Sequence, residues 1–477
     1  MFKMHNPSTQ TVSLGKSPGA LANRNFTKHL NEWCPEQNNE FDPWCDPDYP
    51  MIITYKDIVK AKNFLKKEFH PTPLVESKHN HRFPMNIYYK LETFHRTGSF
   101  KERGAFYSLS KLSTEQKEIG VITASLGNWA MALACCGQKL NIPVTVVLPV
   151  IASMRADQIC RDFGATVVTF GKNLAEAKRK AFTMLTNANL SYINGYDHPH
   201  VIAASGTIGM EILKQLPKTD AILVPVGGGS LLAGIAVAVK HIKPDVLVYG
   251  IESDRCPSFS KALEKSGVFE TDLQRGLANS LEVSIAGCNA FETAKNLIKS
   301  IILIDNDWIA KALLHLIEDE KLIVEGAAAV PLASLMALPR ALIGLKDKTV
   351  VCVLSGGNLE PCVLQSLERA QALEGRLITV NVKLPGLEIN NLQKIFNIIA
   401  KLGCNVIRHN AEKSWGVESY MNEINVSIIC ATRDQKHAHI VKKVTEKFFP
   451  NICKVHQEVL CTSEKCKCYS CKNNMHK

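Results

Sequence analysis

The stretch AILVPVGGGSLLAGIAVAVKH, residues 221–241, reads in three parts. Ala221 to Val226 is a short apolar run with the length and composition of a strand. Gly227-Gly228-Gly229-Ser230 is a turn without bulky side chains, and Leu231 to His241 has the apolar content of a helix packed on a sheet. Ala221 to Val239 holds no charge over 19 residues, near the ~20 of a membrane span. The proline and glycines at its centre would interrupt such a helix, so strand, turn and helix is the better reading. Three glycines let backbone N–H groups converge on an anion, the helix N-terminus adds its positive dipole, and Ser230 adds a hydroxyl. No Gly-Lys-Ser/Thr follows, so the turn is not a P-loop, and it lacks the spaced glycines of a dinucleotide fingerprint.

Outward from this stretch, from 51 to 370, short apolar runs alternate with amphipathic ones. Val144 to Leu148, Thr166 to Phe170, Val246 to Ile251 and Thr349 to Leu354 read as strands. Trp129 to Leu140, Leu174 to Ala188 and Ile309 to Glu320 read as helices. Strands this apolar, alternating with helices, predict an α/β fold with parallel sheets covered on both faces. A smaller unit over 376–455 reads strand, helix, strand, strand, helix, strand, the βαββαβ order of a ferredoxin-like α+β domain. Residues 1–50 read as a disordered tail, and 456–477 as a second tail rich in Cys and Lys.

Three more segments place reactive residues in turns. In Thr97-Gly98-Ser99-Phe100-Lys101, the lysine opens a helix in partly apolar surroundings; burial and the helix dipole both disfavour its ammonium and free the amine for Schiff-base chemistry. Ser125-Leu126-Gly127-Asn128 follows the apolar Val121-Ile122-Thr123 and offers backbone donors, a hydroxyl and an amide to a carboxylate. Ser355-Gly356-Gly357-Asn358 ends another strand, where parallel sheets hold ligands. Each alone is an ordinary cap or turn.

Composition narrows the classes. The chain has 477 residues, 46% hydrophobic and 21% charged, which excludes wholesale disorder. A net charge of +11 reads as a solvated basic surface rather than a nucleic-acid partner. Sixteen cysteines in so long a chain do not make a disulfide scaffold; Cys135, Cys136, Cys352 and Cys430 sit in apolar runs and read as buried thiols of a reducing compartment. The N-terminus has no secretory pattern. The expectation is a cytoplasmic protein with no membrane partner. In the tail, Cys461, Cys466, Cys468 and Cys471 do not have the paired spacing of a zinc site, and no metal is expected there.

Taken in order, the four segments resemble the fold-type II pyridoxal-phosphate (PLP) enzymes, and within them the serine/threonine dehydratases, or threonine ammonia-lyases, of animals. Leu91-Glu92, Gly195-Tyr196-Asp197-His198-Pro199, Gly206-Thr207-Ile208-Gly209 and Val324-Glu325-Gly326-Ala327 extend the likeness. The resemblance implies a two-lobed, tryptophan synthase beta-like catalytic domain over 51–370, with a smaller lobe of roughly 90–190 inserted in the larger. It makes 376–455 an ACT-like regulatory domain. It implies pyridoxal 5'-phosphate as cofactor and Lys101 as the catalytic lysine that carries it and works on the Cα proton. Gly227, Gly228, Gly229 and Ser230 would hold the phosphate, Asn128 the 3' oxygen and Ser355 the pyridine nitrogen. Ser125, Leu126, Gly127 and Asn128 would bind the substrate carboxylate. The implied reaction is β-elimination from L-threonine or L-serine, giving 2-oxobutanoate or pyruvate and ammonia. The implied partners are a small amino-acid substrate, an amino-acid effector and further copies of the chain in a homo-oligomer.

Some positions depart from the family pattern. Trp129 stands for a histidine and is expected to crowd the carboxylate site. Ala204-Ser205-Gly206-Thr207 replaces Gly-Gln-Gly-Thr, and Ala278-Asn279-Ser280 replaces Ala-Asp-Gly. Glu252 matches a divalent-cation ligand of racemase relatives, but Ser258 stands where its Asp partner would be, so no such site is expected. Leu126 stands where racemases place a proton-bearing serine. Two other readings stay open: a non-catalytic PLP-binding homologue serving as partner or regulator, and a serine racemase-like enzyme.

Overall fold

The computed structural model describes residues 42–360, 363–385, 389–413, 423–450 and 453–457. Its strands, in chain order, are β1 (Leu74–Glu76), β2 (Asn86–Leu91), β3 (Val121–Ala124), β4 (Val144–Leu148), β5 (Thr166–Thr169), β6 (Ser191–Tyr192), β7 (Ala221–Pro225), β8 (Leu247–Ser253), β9 (Ser300–Ile304), β10 (Thr349–Leu354), β11 (Leu377–Pro385), β12 (Asn405–Lys413), β13 (Glu423–Ala431) and β14 (Cys453–His456). Three sheets result. The largest has the order β1-β2-β10-β7-β8-β9, a second the order β5-β4-β3-β6, and a third the order β12-β13-β11-β14.

The second sheet is parallel throughout. In the first, only the short β1 runs antiparallel to its neighbour. Every residue of β7 and β10 is buried, as strands covered on both faces by helices must be. One cover is the pair of helices Pro199–Gln215 and Ser230–Ile242. They approach so closely that a Cβ on Gly234 would lie 2.4 Å from the Ile202 carbonyl oxygen and 2.5 Å from the Gly206 nitrogen. Glycine on each helix makes that contact.

Parallel strands share a direction, so their C-terminal ends open toward one side. β3 ends before Ser125, β7 before Gly227 and β10 before Ser355. Chain direction brings the ends of β7 and β10 together within the first sheet, and the end of β3 meets them from the second sheet across one crevice.

Below Lys101 lies a buried ionic network. Arg103 donates to Glu92 at 2.9 Å through both Nε and Nη2, and to Glu211 at 2.5 and 2.9 Å. Lys90 Nζ adds a bond of 2.6 Å to Glu211. Glu102 accepts from the N–H and hydroxyl of Thr97 at 2.8 and 2.9 Å, which closes the turn ahead of the lysine.

The third sheet is antiparallel and carries the strand, helix, strand, strand, helix, strand order, with helices Ile389–Lys401 and Gln435–Phe448. Arg376, at its entry, pairs with Glu318 of the large unit at 2.6 and 2.9 Å.

Part of the N-terminal expectation needs correction. Residues 42–50 are not loose: Asp42 is buried, Asn289 Nδ2 donates to the Trp44 carbonyl at 2.6 Å, and the Trp44 ring sits 5.1 Å from that of His198. One buried carboxylate, one ring contact and one carbonyl anchor this turn, a signal too sparse to show as periodicity. Residues 1–41, and the Cys/Lys-rich tail from 458 onward, lie outside the described residues. Cys135, Cys136, Cys352 and Cys430 are buried free thiols. Among the described residues no helix is long and apolar enough to cross a membrane.

Candidate active site

A cavity of about 330 Å³ lies at the strand ends, lined among others by Lys101, Ser125, Leu126, Gly127, Asn128, Gly227, Gly228, Gly229, Ser230 and Ser355. Every site residue expected from sequence lies on its wall. None is displaced elsewhere.

Lys101 is the first residue of the helix Lys101–Ser110. Its Nζ donates to the Gly195 carbonyl at 2.6 Å. Burial pushes its amine down to about 8, against which the charge of Glu325 acts. An amine so placed loses its proton far more readily than a surface lysine.

The glycine turn is held from behind. A Cβ on Gly228 would lie 2.2 Å from the Tyr196 ring, and one on Gly229, at φ +100°, 2.6 Å from the Phe259 ring. The helix Ser230–Ile242 starts here with no side-chain cap. Its first N–H groups have no intrahelical acceptor, and such a start accepts an anion. Glycine room, an uncapped helix start and a buried serine fit a phosphate.

Ser125 accepts from the Gly127 N–H at 3.1 Å and the Ala130 N–H at 3.3 Å. Its oxygen thus caps the helix Asn128–Leu140, which leaves the hydroxyl proton to donate. Asn128 donates through Nδ2 to both oxygens of Glu325, at 2.8 and 2.9 Å, and its Oδ1 accepts from Asn358 Nδ2 at 2.8 Å. Ser280 Oγ donates to Glu325 Oε2 at 3.0 Å. Ser355 is buried, and its carbonyl accepts from the Phe100 N–H at 3.0 Å. That bond ties the end of β10 to the turn before Lys101.

Trp129 lines the cavity as a packed group. Its indole is buried, donates to Thr123 Oγ1 at 2.9 Å and fills the space that Gly195 leaves, where a Cβ would lie 2.3 Å from the ring. Beside its place on the cavity wall, the indole therefore has a structural role. Replacing Trp129 by histidine should leave a void and remove the bond that Thr123 Oγ1 accepts, although its hydroxyl still donates to the Ile193 carbonyl at 2.9 Å. A loss of about 2–4 kcal/mol is expected in equilibrium urea unfolding. A variant as stable as the parent would contradict this placement.

Glu252 is buried, accepts from the N–H groups of Phe259 and Ser260 at 2.8 and 3.0 Å, and has Ser258 Oγ at 3.4 Å. It serves the start of the helix Ser258–Lys265. Burial pushes its carboxyl up to about 8.

Four wall residues carried no assigned role in the sequence: the Gly195 carbonyl, Ser280, Glu325 and Asn358. Gly195 and Glu325 lie in stretches that extend the family likeness, and Asn358 closes the turn after β10. Their partners are 94, 197 and 230 residues away along the chain.

The family model described as pyridoxal-phosphate dependent enzyme matches residues 65–356. An L-threonine ammonia-lyase of Geobacter sulfurreducens is 36% identical over 357 residues, covering 74% of this chain and 88% of its own. One of Thermotoga maritima is 32% identical over 400 residues, covering 82% and 97%. Among solved structures, the processed threonine deaminase isoform 2 of Solanum lycopersicum superposes with a TM-score of 0.62 at 30% identity, over 68% of this chain and 96% of its own. Serine racemase of Dictyostelium discoideum gives 0.60 at 28% identity, over 65% and 99%.

Proposed function

Because the chain belongs to the pyridoxal-phosphate dependent enzymes, we propose that it is a carbon–nitrogen lyase that deaminates L-threonine and L-serine by β-elimination. The observation that carries this reading is the meeting, in one cavity, of a buried lysine, an uncapped glycine-rich helix start and the 125–128 turn. Relatives named L-threonine ammonia-lyase support it.

The cofactor is pyridoxal 5'-phosphate. Gly227, Gly228, Gly229 and Ser230 would hold its phosphate, Asn128 its ring oxygen, Ser355 its ring nitrogen, and Lys101 would carry it. When bound, it supplies an electron sink for the carbon that loses its proton. The chain's own residues do the rest. The 125–128 turn binds the substrate carboxylate at a helix start, which aims the Cα–H bond. Lys101 Nζ, neutral above about pH 8, receives the Cα proton. The β-hydroxyl leaves as water, and hydrolysis yields the 2-oxo acid and ammonia.

Leu126 lines the same cavity and has no proton to give. Racemisation needs a donor on the face opposite the lysine, so elimination is favoured over inversion.

The 376–455 unit is assigned as an ACT-type regulatory domain that responds to an amino acid, within a homo-oligomer. Its βαββαβ order supports this. The buried free thiols support a cytoplasmic setting. The proposed domain limits are 51–370 and 376–455, with residues 42–50 packed on the first of these units.

The glycine turn gives a direct test. Gly228→Val would drive its side chain into the Tyr196 ring and distort the turn. Cofactor affinity, read from the absorbance of the purified protein on titration, is expected to fall by about 10²-fold or more. Unchanged affinity would remove the turn from the phosphate site.

A further inference from the structure

Glu325 is a buried carboxylate to which the reaction above assigns no task. Burying one is costly unless it is bonded or paired. Its bonds are specific. Asn128 Nδ2 reaches both oxygens at 2.8 and 2.9 Å, and Ser280 Oγ reaches Oε2 at 3.0 Å. Across the same amide, Asn128 Oδ1 accepts from Asn358 Nδ2 at 2.8 Å, and Asn358 Nδ2 also donates to the Thr97 carbonyl at 2.8 Å. With a donor on one side and an acceptor on the other, the Asn128 amide has one orientation. A flip would set N–H against N–H and oxygen against carboxylate.

Two glycines make room for this clamp. A Cβ on Gly356 would lie 2.5 Å from Glu325 Oε1, and one on Gly98 would lie 2.7 Å from Asn358 Oδ1. The backbone of Glu325 is also tied, its N–H donating to the Gly356 carbonyl at 3.1 Å.

We propose that Glu325 is a positioning residue of this site: with Asn358 it sets the direction in which Asn128 presents its amide, and its carboxylate is the counter-charge of Lys101. The inference rests on the reading that Lys101 carries the cofactor. It adds a group of the same cavity whose charge opposes burial at that lysine.

The electrostatic half has a definite sign. Burial lowers the Lys101 amine to about 8, and the Glu325 charge is what opposes burial there. Burial in turn pushes the Glu325 carboxyl up, against Asn128, Ser280 and Lys101. Arg155, Tyr196, Arg275, Glu282 and Glu360 line the same cavity and are the same residues in every variant compared. A neutral residue at 325 removes the stabiliser of the ammonium, and the amine then loses its proton at lower pH. Asn358 carries no charge, so its removal frees the Asn128 amide without moving that pH.

The test uses the full chain stripped of cofactor. Modification of Lys101 by trinitrobenzenesulfonate, located by peptide mapping, is followed against pH. The wild-type midpoint is expected near pH 8. Glu325→Gln is expected to lower it by about one pH unit, while Asn358→Ala leaves it in place. Glu325→Asp keeps the charge and the midpoint. Cofactor affinity, titrated by absorbance, should weaken by about 10-fold in both Asn358→Ala and Glu325→Asp, because each releases one side of the Asn128 amide. A Glu325→Gln midpoint equal to wild type overturns the counter-charge. Wild-type cofactor affinity in Asn358→Ala overturns the clamp, and decides the matter if Glu325→Gln fails to fold. Neither readout needs turnover, so a chain that binds cofactor yet releases no 2-oxo acid sinks the lyase reading alone.

Discussion

Replacing Lys101 by alanine is expected to cut 2-oxo acid release from L-threonine by about 10²–10⁴-fold or more. In the proposed reaction this lysine carries the cofactor and takes the Cα proton, and no other lysine lines the cavity among the described residues. Borohydride treatment of the loaded wild type followed by peptide mapping should label Lys101. Activity within tenfold of wild type in Lys101→Ala, or a label on a different lysine, would remove it from the reaction.

Arg103→Leu is expected to cost about 3–5 kcal/mol in equilibrium unfolding. The Arg103 guanidinium is fully buried and bridges Glu92 and Glu211. Burial alone would push the Glu92 carboxyl up, but Arg103, His95 and Lys90 outweigh it and hold the group well below the usual carboxylate range. Leucine would fill part of the volume while leaving those carboxylates facing each other near Lys90. Arg103→Lys keeps the charge but loses the fork that reaches two acids at once, so it should be intermediate. The sign with pH follows from Glu92. Its folded-state affinity for protons is depressed, so the stability it contributes is complete above the unfolded carboxylate range and is lost only as pH falls toward the folded value. In Arg103→Leu this contribution disappears, and the acid limb of the stability curve should move to higher pH. A variant as stable as wild type across that range would show that the network carries no weight.

Much of the fold can be read from local pattern because buried parallel strands are apolar on both faces. Thr349–Leu354 and Leu174–Ala188 begin and end where hydrophobicity and caps place them. Ends set by tertiary pairing shift instead. β8 runs on to Ser253 because its partner β9 continues to Ile304. The predicted helix to Glu320 is α-helical only to His315 and then widens into a π-turn over Leu316–Glu320. Periodicity cannot distinguish that change, since both halves keep one face buried.

The cavity follows the same logic. Lys101 and the glycine turn are visible in the sequence because their chemistry demands rare residues at strand-to-helix turns. Glu325 and Asn358 are ordinary residues whose importance comes from a partner far along the chain. Trp129 shows the converse. Beside the 125–128 turn it looks like an obstruction, and only the missing side chain of Gly195, 66 positions on in the sequence, shows where the indole goes.

At issue is whether this cavity releases ammonia by β-elimination and hydrolysis rather than inverting a stereocentre. The most direct measurement incubates the purified, PLP-loaded full chain with L-threonine and, separately, L-serine, and quantifies ammonia, 2-oxo acid and the chirality of the remaining amino acid. The account predicts ammonia and 2-oxobutanoate or pyruvate in equal amounts, with the residual substrate still in the L form. D-serine formed without pyruvate, or cofactor bound with neither product above the Lys101→Ala background, would contradict it.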